Sequence, residues 1–380
     1  APLPEWGNIA RTVAQENVAD SLLAEPWIQN DEKGWWFSRS AWSLYAVAQL
    51  RKRVTGGENV RVWFPDYFCN ASIAPLRDLG ADIDFYPLSV DGSPDLTSCE
   101  AMLEGGQPDI IVLVHYFGEP TPAAKLARFA LENGAWLVED AAHILKPTEG
   151  VGEFGDYILY SPHKFLPIPD GALLLVRRNS PGRITDGLLE KYDFKGLCQL
   201  LVGQSRLPAR AAYEWLVKRL LQKLGVRSNN FGSIGYYDDV LTMDTGKFIQ
   251  PRMSSLARKF LFGIINSLDE EATAREINLK EWCLGLAKKK VAGVSILPLE
   301  ATNVPYLAGF SCDEPIAVER VFDLLKKAKI PVTTWPDLPP EVSSNPARHK
   351  VAISMRETRI FFPVHRSINS SMIQLVLKGV

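Results

Sequence analysis

Val138-Glu139-Asp140-Ala141-Ala142-His143, followed downstream by Ser161-Pro162-His163-Lys164, is the stretch that decides the fold. Trp136-Leu137-Val138 just ahead of Asp140 is a short apolar run of the kind that parallel sheets bury on both faces. Asp140 then falls at the carboxyl end of that strand, the edge at which open α/β sheets hold their ligands. A second run, Tyr157-Ile158-Leu159-Tyr160, brings Ser161 and Lys164 to the same edge. Further apolar runs recur on either side, at Val60–Phe64, Ile83–Tyr86, Ile110–Val114 and Ala172–Val176. Between the third and fourth of the runs, Pro122 to Asn133 has helical periodicity and closes on Gly134, a C-cap signal. Strand, helix, strand at this spacing predicts an α/β fold with a mostly parallel sheet and helices on both faces. Such a sheet serves many functions, so function has to be argued from the side chains at its edge.

Composition sets the outer limits. A chain of 380 residues with 46% apolar and 23% charged residues has room for a large domain and a smaller one. A net charge of −2 gives no footprint of a nucleic-acid partner. The five cysteines (Cys69, Cys99, Cys198, Cys283 and Cys312) are scattered, with no Cys-x-x-Cys pair or His/Cys cluster, so no metal is expected. That usage fits a reduced, cytoplasmic setting. Ala1 to Trp6 lacks the basic stretch and apolar core of a signal peptide. The longest apolar runs are strand-sized, short of the roughly 20 residues a transmembrane helix requires. There are no repeats.

An amine and a carboxylate at one sheet edge suit a single cofactor. Pyridoxal phosphate requires a lysine for its Schiff base and an acid that keeps its ring nitrogen protonated. Lys164 is the candidate amine and proton carrier, and Asp140 the partner of the ring nitrogen. The plainer alternatives are a solvated lysine and an acid capping a helix that begins at Ala141-Ala142. The cofactor's phosphate calls for backbone N–H groups at a helix start. Ser38-Arg39-Ser40-Ala41, ahead of the helical run Trp42 to Ala48, offers them, with Arg39 and Ser40 as contacts; an ordinary serine N-cap is equally open. Ser161, tied to Lys164 by spacing, is the better phosphate contact.

Taken in order and spacing, Glu139–His143, the Ser161-x-x-Lys164 step, Asp170-Gly171 and the upstream His115-Tyr116-Phe117-Gly118 resemble the DegT/DnrJ/StrS family. Its members are fold-type-I pyridoxal-phosphate enzymes, mostly aminotransferases acting on nucleotide-linked keto sugars. The resemblance runs from about residue 35 to the C-terminus. It is strong over 60–178 and weak over 180–245. It implies a seven-stranded type of sheet in a large domain (35–250), an N-terminal arm (1–34) and a smaller C-terminal α+β domain (251–380). Residues 180–245, with the amphipathic stretch Ala211–Leu221, read as an insertion-like helical region; it either packs an apolar face on the domain or serves a large substrate or membrane surface. Residues 252–290 read as long helices leading to strands at Val294–Leu297 and Arg359–Phe362.

The resemblance extends to single residues. His143 occupies the position that touches the cofactor's phenolic oxygen. Tyr67 or Phe68 would stack on the ring, and the choice stays open because both could equally be core. Gln250-Pro251-Arg252-Met253-Ser254 resembles an element that reaches the neighbouring subunit's site, which implies a homodimer with shared active sites and a phosphate contact from Arg252 of the partner subunit. Phe362-Pro363-Val364-His365 resembles a stretch near the substrate pocket, which makes His365 a substrate candidate beside His163. Three positions depart from the family: Ser38 replaces a glycine, Gln250 an asparagine, and only Pro162 and His163 separate Ser161 from Lys164 where four residues are usual. Relatives with histidine in place of the lysine are dehydratases, whereas this chain retains Lys164. The expected activity is amino transfer from an amino acid, glutamate by default, to a nucleotide-linked keto sugar. The rivals are a sugar dehydratase in the same pocket and a non-catalytic regulatory or binding member of the fold.

Overall fold

A computed structural model describes residues 2–14, 18–29, 32–177, 180–204, 208–224, 250–289, 294–297, 299–300, 303–314, 318, 334–335 and 337–379. Seven strands make the main sheet: β1 (Lys33–Phe37), β2 (Arg61–Pro65), β3 (Asp82–Tyr86), β4 (Ile110–Val114), β5 (Trp136–Ala141), β6 (Tyr157–Tyr160) and β7 (Ala172–Val176), in the order β1-β7-β6-β5-β4-β2-β3. Neighbours from β3 to β6 pair in parallel, and β7 runs antiparallel to both β6 and β1. Every residue of β4, β5 and β7 is buried, as a sheet covered on both faces requires.

The six strands expected from apolar runs are present. The seventh, β1, lies where an arm was expected up to residue 34. Its Lys33-Gly34 start lowers strand propensity, and its place is fixed from outside. A Cβ on Gly34 would stand 3.1 Å from Leu173 Cδ1 and 3.2 Å from Leu175 Cδ2, so a side chain there would have to push those leucine tips aside for β1 to lie this close to β7.

Helix Ser40–Thr55 covers β7, β6 and β1, and ends at Gly56, whose φ of 65° lets its N–H reach Lys52 O. Lys52 and Arg53 in that last turn meet the negative end of the helix dipole. Helix Ala124–Glu132 packs on β5 and stops at Gly134 (φ 66°), the predicted cap.

Helices Ser255–Ile264 and Leu268–Lys289 lead, as expected, to a second sheet. It holds β8 (Val294–Ile296), β9 (Leu307–Cys312) and β10 (Arg359–Pro363) in the antiparallel order β10-β9-β8. Its core is Trp282, Phe310, Ile360, Phe362 and Ile373. β9 escapes a sequence reading because the small residues Ala308, Gly309 and Ser311 break up its apolar run. Gly309 is there because a Cβ would come within 2.7 Å of Leu297.

Of the insertion-like region, helices Asp186–Lys191, Phe194–Gly203 and Pro208–Lys223 are described, and residues 225–249 lie outside the described residues. Phe194, Leu197, Cys198 and Leu201 pack into the main core. Helix Pro208–Lys223 buries Ala212 and sets Trp215 against Phe260, but leaves Tyr213, Val217 and Leu221 exposed. Among the described residues no helix is long and apolar enough to cross a membrane.

Candidate active site

Successive residues of a strand face opposite ways, so the adjacent acids of β5 enter different environments. Glu139 is fully buried and accepts N–H groups from Gly152 (2.5 Å), Phe154 (2.9 Å) and Gly155 (2.5 Å). His115 Nδ1 takes the Thr121 N–H at 2.9 Å, so its proton sits on Nε2 and is donated to Glu139 at 2.9 Å. Burial pushes the Glu139 carboxyl up, but His115 and the loop amides outweigh it and hold the group below its usual range. This cluster pins the end of β5 and with it the position of Asp140.

Asp140 accepts the Ala142 N–H at 2.9 Å, its one hydrogen bond among the described residues. The chain then turns without forming a helix, so the helix-cap alternative has no helix to cap. Burial pushes the Asp140 carboxyl up, and the nearby Lys164 charge opposes that. Lys164 lies on the one-turn helix Pro162–Phe165 directly after β6. Burial pulls its ammonium below the usual lysine range; Asp140 and Cys69 act against the shift and Arg39 adds to it. The two groups predicted to meet at the sheet edge therefore do sense each other's charge.

The remaining candidates fall around this pair. His143 is buried, and burial together with Lys164 keeps its ring neutral, well below the usual histidine range. It stacks on Tyr306 (4.4 Å between centroids, 14°) and on Phe117 (5.5 Å, 28°), and its Nδ1 takes the Phe117 N–H at 3.4 Å. Ser161 Oγ is fully buried and, among the described residues, has no hydrogen-bond partner. His163 donates from Nδ1 to Gly171 O at 2.9 Å, and burial holds that ring neutral too. Gly171 has φ 137°, and a Cβ there would stand 2.9 Å from Met253, so conformation and space both exclude a side chain.

Arg39, not a serine, is the N-cap of helix Ser40–Thr55, and no side chain caps that helix. The Ser38 hydroxyl goes instead to Gln250 O at 2.5 Å. Arg39 donates to Ser38 O and Pro169 O, each at 3.1 Å, and lies within reach of the charges of Asp170, His163 and Lys164. Ser40 is buried at the helix start. The segment carrying Arg252 docks beside these groups on its own chain: Ser38 N–H reaches Pro251 O and Ser254 N–H reaches Asp170, both at 2.8 Å, while Arg252 is exposed.

The structure separates the two aromatic candidates. Phe68 packs on Phe64 in the core (4.6 Å), whereas Tyr67 stacks on Trp335 (4.4 Å, 19°), which in turn meets His143 edge-on at 5.7 Å. His365 is not brought to the pair. It lies near Arg275 and Arg219, and among the described residues it touches none of Asp140, Lys164 and His143.

Three residues of the site went unread: Tyr306, Trp335 and Arg275. Arg275 is buried, ion-paired with Glu271 at 2.8 Å, and donates to Tyr306 O (2.9 Å), Pro305 O (3.2 Å) and Phe165 O (3.0 Å). One guanidinium thus ties the turn carrying Lys164 to the ring stacked on His143. Arg275 is one of many charged residues of helix Leu268–Lys289, and nothing in the sequence sets it apart from the exposed ones.

These residues fit pyridoxal phosphate. A half-buried amine with a depressed pKa faces a carboxylate, and a buried hydroxyl stands unpartnered. A helix start without a side-chain cap carries an arginine.

Sheet order and site together define a fold-type-I pyridoxal-phosphate transferase fold. Residues 60–176 match the model of the DegT/DnrJ/EryC1/StrS aminotransferase family. The chain's fold is similar to that of a DegT DnrJ EryC1 StrS aminotransferase from Brucella abortus (15% identity, TM-score 0.66, 98% of this chain and 93% of that one). It is also similar to the aminotransferase TlmJ from Streptoalloteichus hindustanus (18%, 0.69, 100% and 95%) and to Helicobacter pylori PseC, an aminotransferase involved in the biosynthesis of pseudoaminic acid (13%, 0.68, 100% and 96%). Among curated proteins it is 32% identical over 108 residues to serine hydroxymethyltransferase from Pyrococcus horikoshii; the match spans 26% of this chain and 25% of that protein.

Proposed function

We propose that the protein is a pyridoxal-phosphate-dependent aminotransferase moving an amino group from an amino acid, glutamate, to a nucleotide-linked keto sugar. The observation that carries this reading is the juxtaposition of Lys164 and Asp140 at the carboxyl edge of the parallel sheet. The bound cofactor supplies an aldehyde for an amine and a ring that absorbs negative charge from the substrate carbon. Lys164 would hold the cofactor, and burial, by lowering its pKa, favours the neutral amine that can accept and return the substrate's proton. Asp140 keeps a proton on the ring nitrogen. Ser161 Oγ, Arg39 and the N–H groups at Ser40 would take the cofactor's phosphate, and His143 would be the contact for its phenolic oxygen. The arm spans residues 1–34 apart from Lys33 and Gly34, which open β1, the large domain runs to residue 250 and the small domain covers 251–380; the protein acts in the cytoplasm, and Arg252 of the partner subunit completes each site of a homodimer.

The test is cofactor uptake. Purified protein should gain a visible absorbance band with pyridoxal phosphate, and borohydride should fix the cofactor's mass on the peptide carrying Lys164. Protein that stays colourless would support a binding or regulatory member of the fold instead. Similarity to a serine hydroxymethyltransferase favours one enzymatic rival, in which an amino acid loses a carbon fragment rather than its amino group. Adding L-glutamate to loaded protein should release 2-oxoglutarate equal to the bound cofactor. Consumption of L-serine with glutamate untouched would overturn amino transfer.

A further inference from the structure

The loop after β4 holds Phe117 in the left-handed backbone region, at φ 57°, where a bulky aromatic residue is an outlier. That conformation turns both backbone groups of Phe117 to use. Its N–H goes to His143 Nδ1 at 3.4 Å, and its carbonyl accepts the Tyr306 N–H at 2.9 Å. Gly118 follows at φ 109°, so close to the next segment that a Cβ would stand 2.3 Å from Val304 O. Glu119 then commits both carboxylate oxygens to the same segment. One accepts the Glu300 N–H and the other an Asn303 Nδ2 hydrogen at 3.0 Å. Asn303 is buried, and its own N–H closes a turn on Glu300 O at 3.0 Å. Three consecutive residues of the main domain's loop thus clasp the stretch that leads into β9.

The clasp positions a ring stack. Tyr306 and Phe117 both lie nearly parallel to the His143 ring, at 4.4 Å and 5.5 Å, and Phe361 of β10 backs Phe117 at 4.2 Å. Arg275 already fixes the carbonyls of Pro305 and Tyr306. The other end of the stretch, at Glu300 and Asn303, is left to Glu119. A half-buried glutamate has water as an alternative partner, but here its two oxygens take charge-assisted hydrogen bonds from one short turn.

We infer that Glu119 is a positioning residue of the site: by fastening Glu300 and Asn303 it sets Tyr306 against His143, and with it the angle at which His143 is offered to the cofactor. This rests on the cofactor reading proposed above and assigns that reading a support from outside the pocket.

Nuclear magnetic resonance of histidine-labelled, pyridoxal-phosphate-treated protein tests it, since the chain has five histidines and His143→Gln assigns the relevant signals. The stacked rings should displace the His143 signals upfield in wild type. Glu119→Ala should remove most of that displacement, and Glu119→Gln, which keeps one acceptor, should fall between the two. Asn303→Ala should add little to Glu119→Ala in the double variant, because both break one link. His349, held by Asp66 at 3.0 Å, should keep its signals throughout. Turnover in Glu119→Ala should drop about tenfold with the amino donor's KM within a few-fold. Unmoved His143 signals in folded Glu119→Ala, or His349 signals that move with them, overturn the positioning role; if the alanine variant does not fold, Glu119→Gln decides by the same signals. Absorbance of the same samples reports cofactor uptake independently. A displaced His143 in protein that takes up no cofactor would overturn the cofactor reading and leave the clasp standing, and uptake with an unmoved His143 would do the reverse.

Discussion

Lys164→Ala is expected to lose turnover by on the order of 10⁴-fold or more while still taking up pyridoxal or pyridoxamine phosphate. The two effects separate because different groups hold and transform the cofactor. The unpartnered Ser161 hydroxyl, Arg39 and the uncapped helix start remain for the phosphate, and Asp140 for the ring nitrogen. Among the described residues no other amine lies beside Asp140 to carry the proton: His143 and His163 are neutral and engaged, one stacked on Tyr306 and the other donating to Gly171 O. His163→Ala should lower activity only a few-fold, by loosening the Gly171 contact. Dialysis-resistant cofactor in the Lys164 variant, measured by absorbance, together with turnover of both variants, checks the assignment. Normal turnover in Lys164→Ala with a dead His163→Ala would make the shortened loop histidine-based and favour the dehydratase rival.

Those two variants also mark how far the sequence could be read. Six of the seven sheet strands and the Asp140–Lys164 pairing were legible because a buried parallel strand must be an unbroken apolar run, and its ends name the functional edge. β1 was not, because Lys33-Gly34 has no strand signal of its own and is held by the close approach to Leu173 and Leu175. Neither were Tyr306 and Trp335, which lie far along the chain from His143 and reach it only through tertiary packing. Arg275 shows the same limit from the other side: its contacts with Phe165 and Tyr306 join segments more than a hundred residues apart in one case and about thirty in the other. Tyr67 and Phe68 could not be told apart because adjacent residues differ only in the direction the local backbone gives them. The structure sends Phe68 to Phe64 and Tyr67 to Trp335.

Asp140→Asn should cut the turnover rate by about 10²–10³-fold, the cost of removing one preorganised charged contact, while weakening cofactor binding far less. The variant has a second signature that a mere structural role would not produce. Asp140 raises the Lys164 pKa against the pull of burial. Removing its charge should let that pKa fall further, so the pH profile of cofactor attachment, which follows the neutral amine, should move to lower pH. Stability should respond with a definite sign. Between the depressed pKa of folded Lys164 and the usual 10.5, the unfolded chain binds more protons, so stability rises with pH across that window and is lost as pH falls through it. Asp140 itself has a raised pKa, so its own contribution is present below about 3.8 and is lost as pH rises through the folded value. Asparagine should abolish that acid-side contribution and extend the lysine window downward. Thermal melts from pH 4 to 10 and stopped-flow attachment of pyridoxal phosphate to wild type and Asp140→Asn measure both. An unshifted attachment profile with activity within a few-fold of wild type would reduce Asp140 to a residue that only fixes the turn at Ala142.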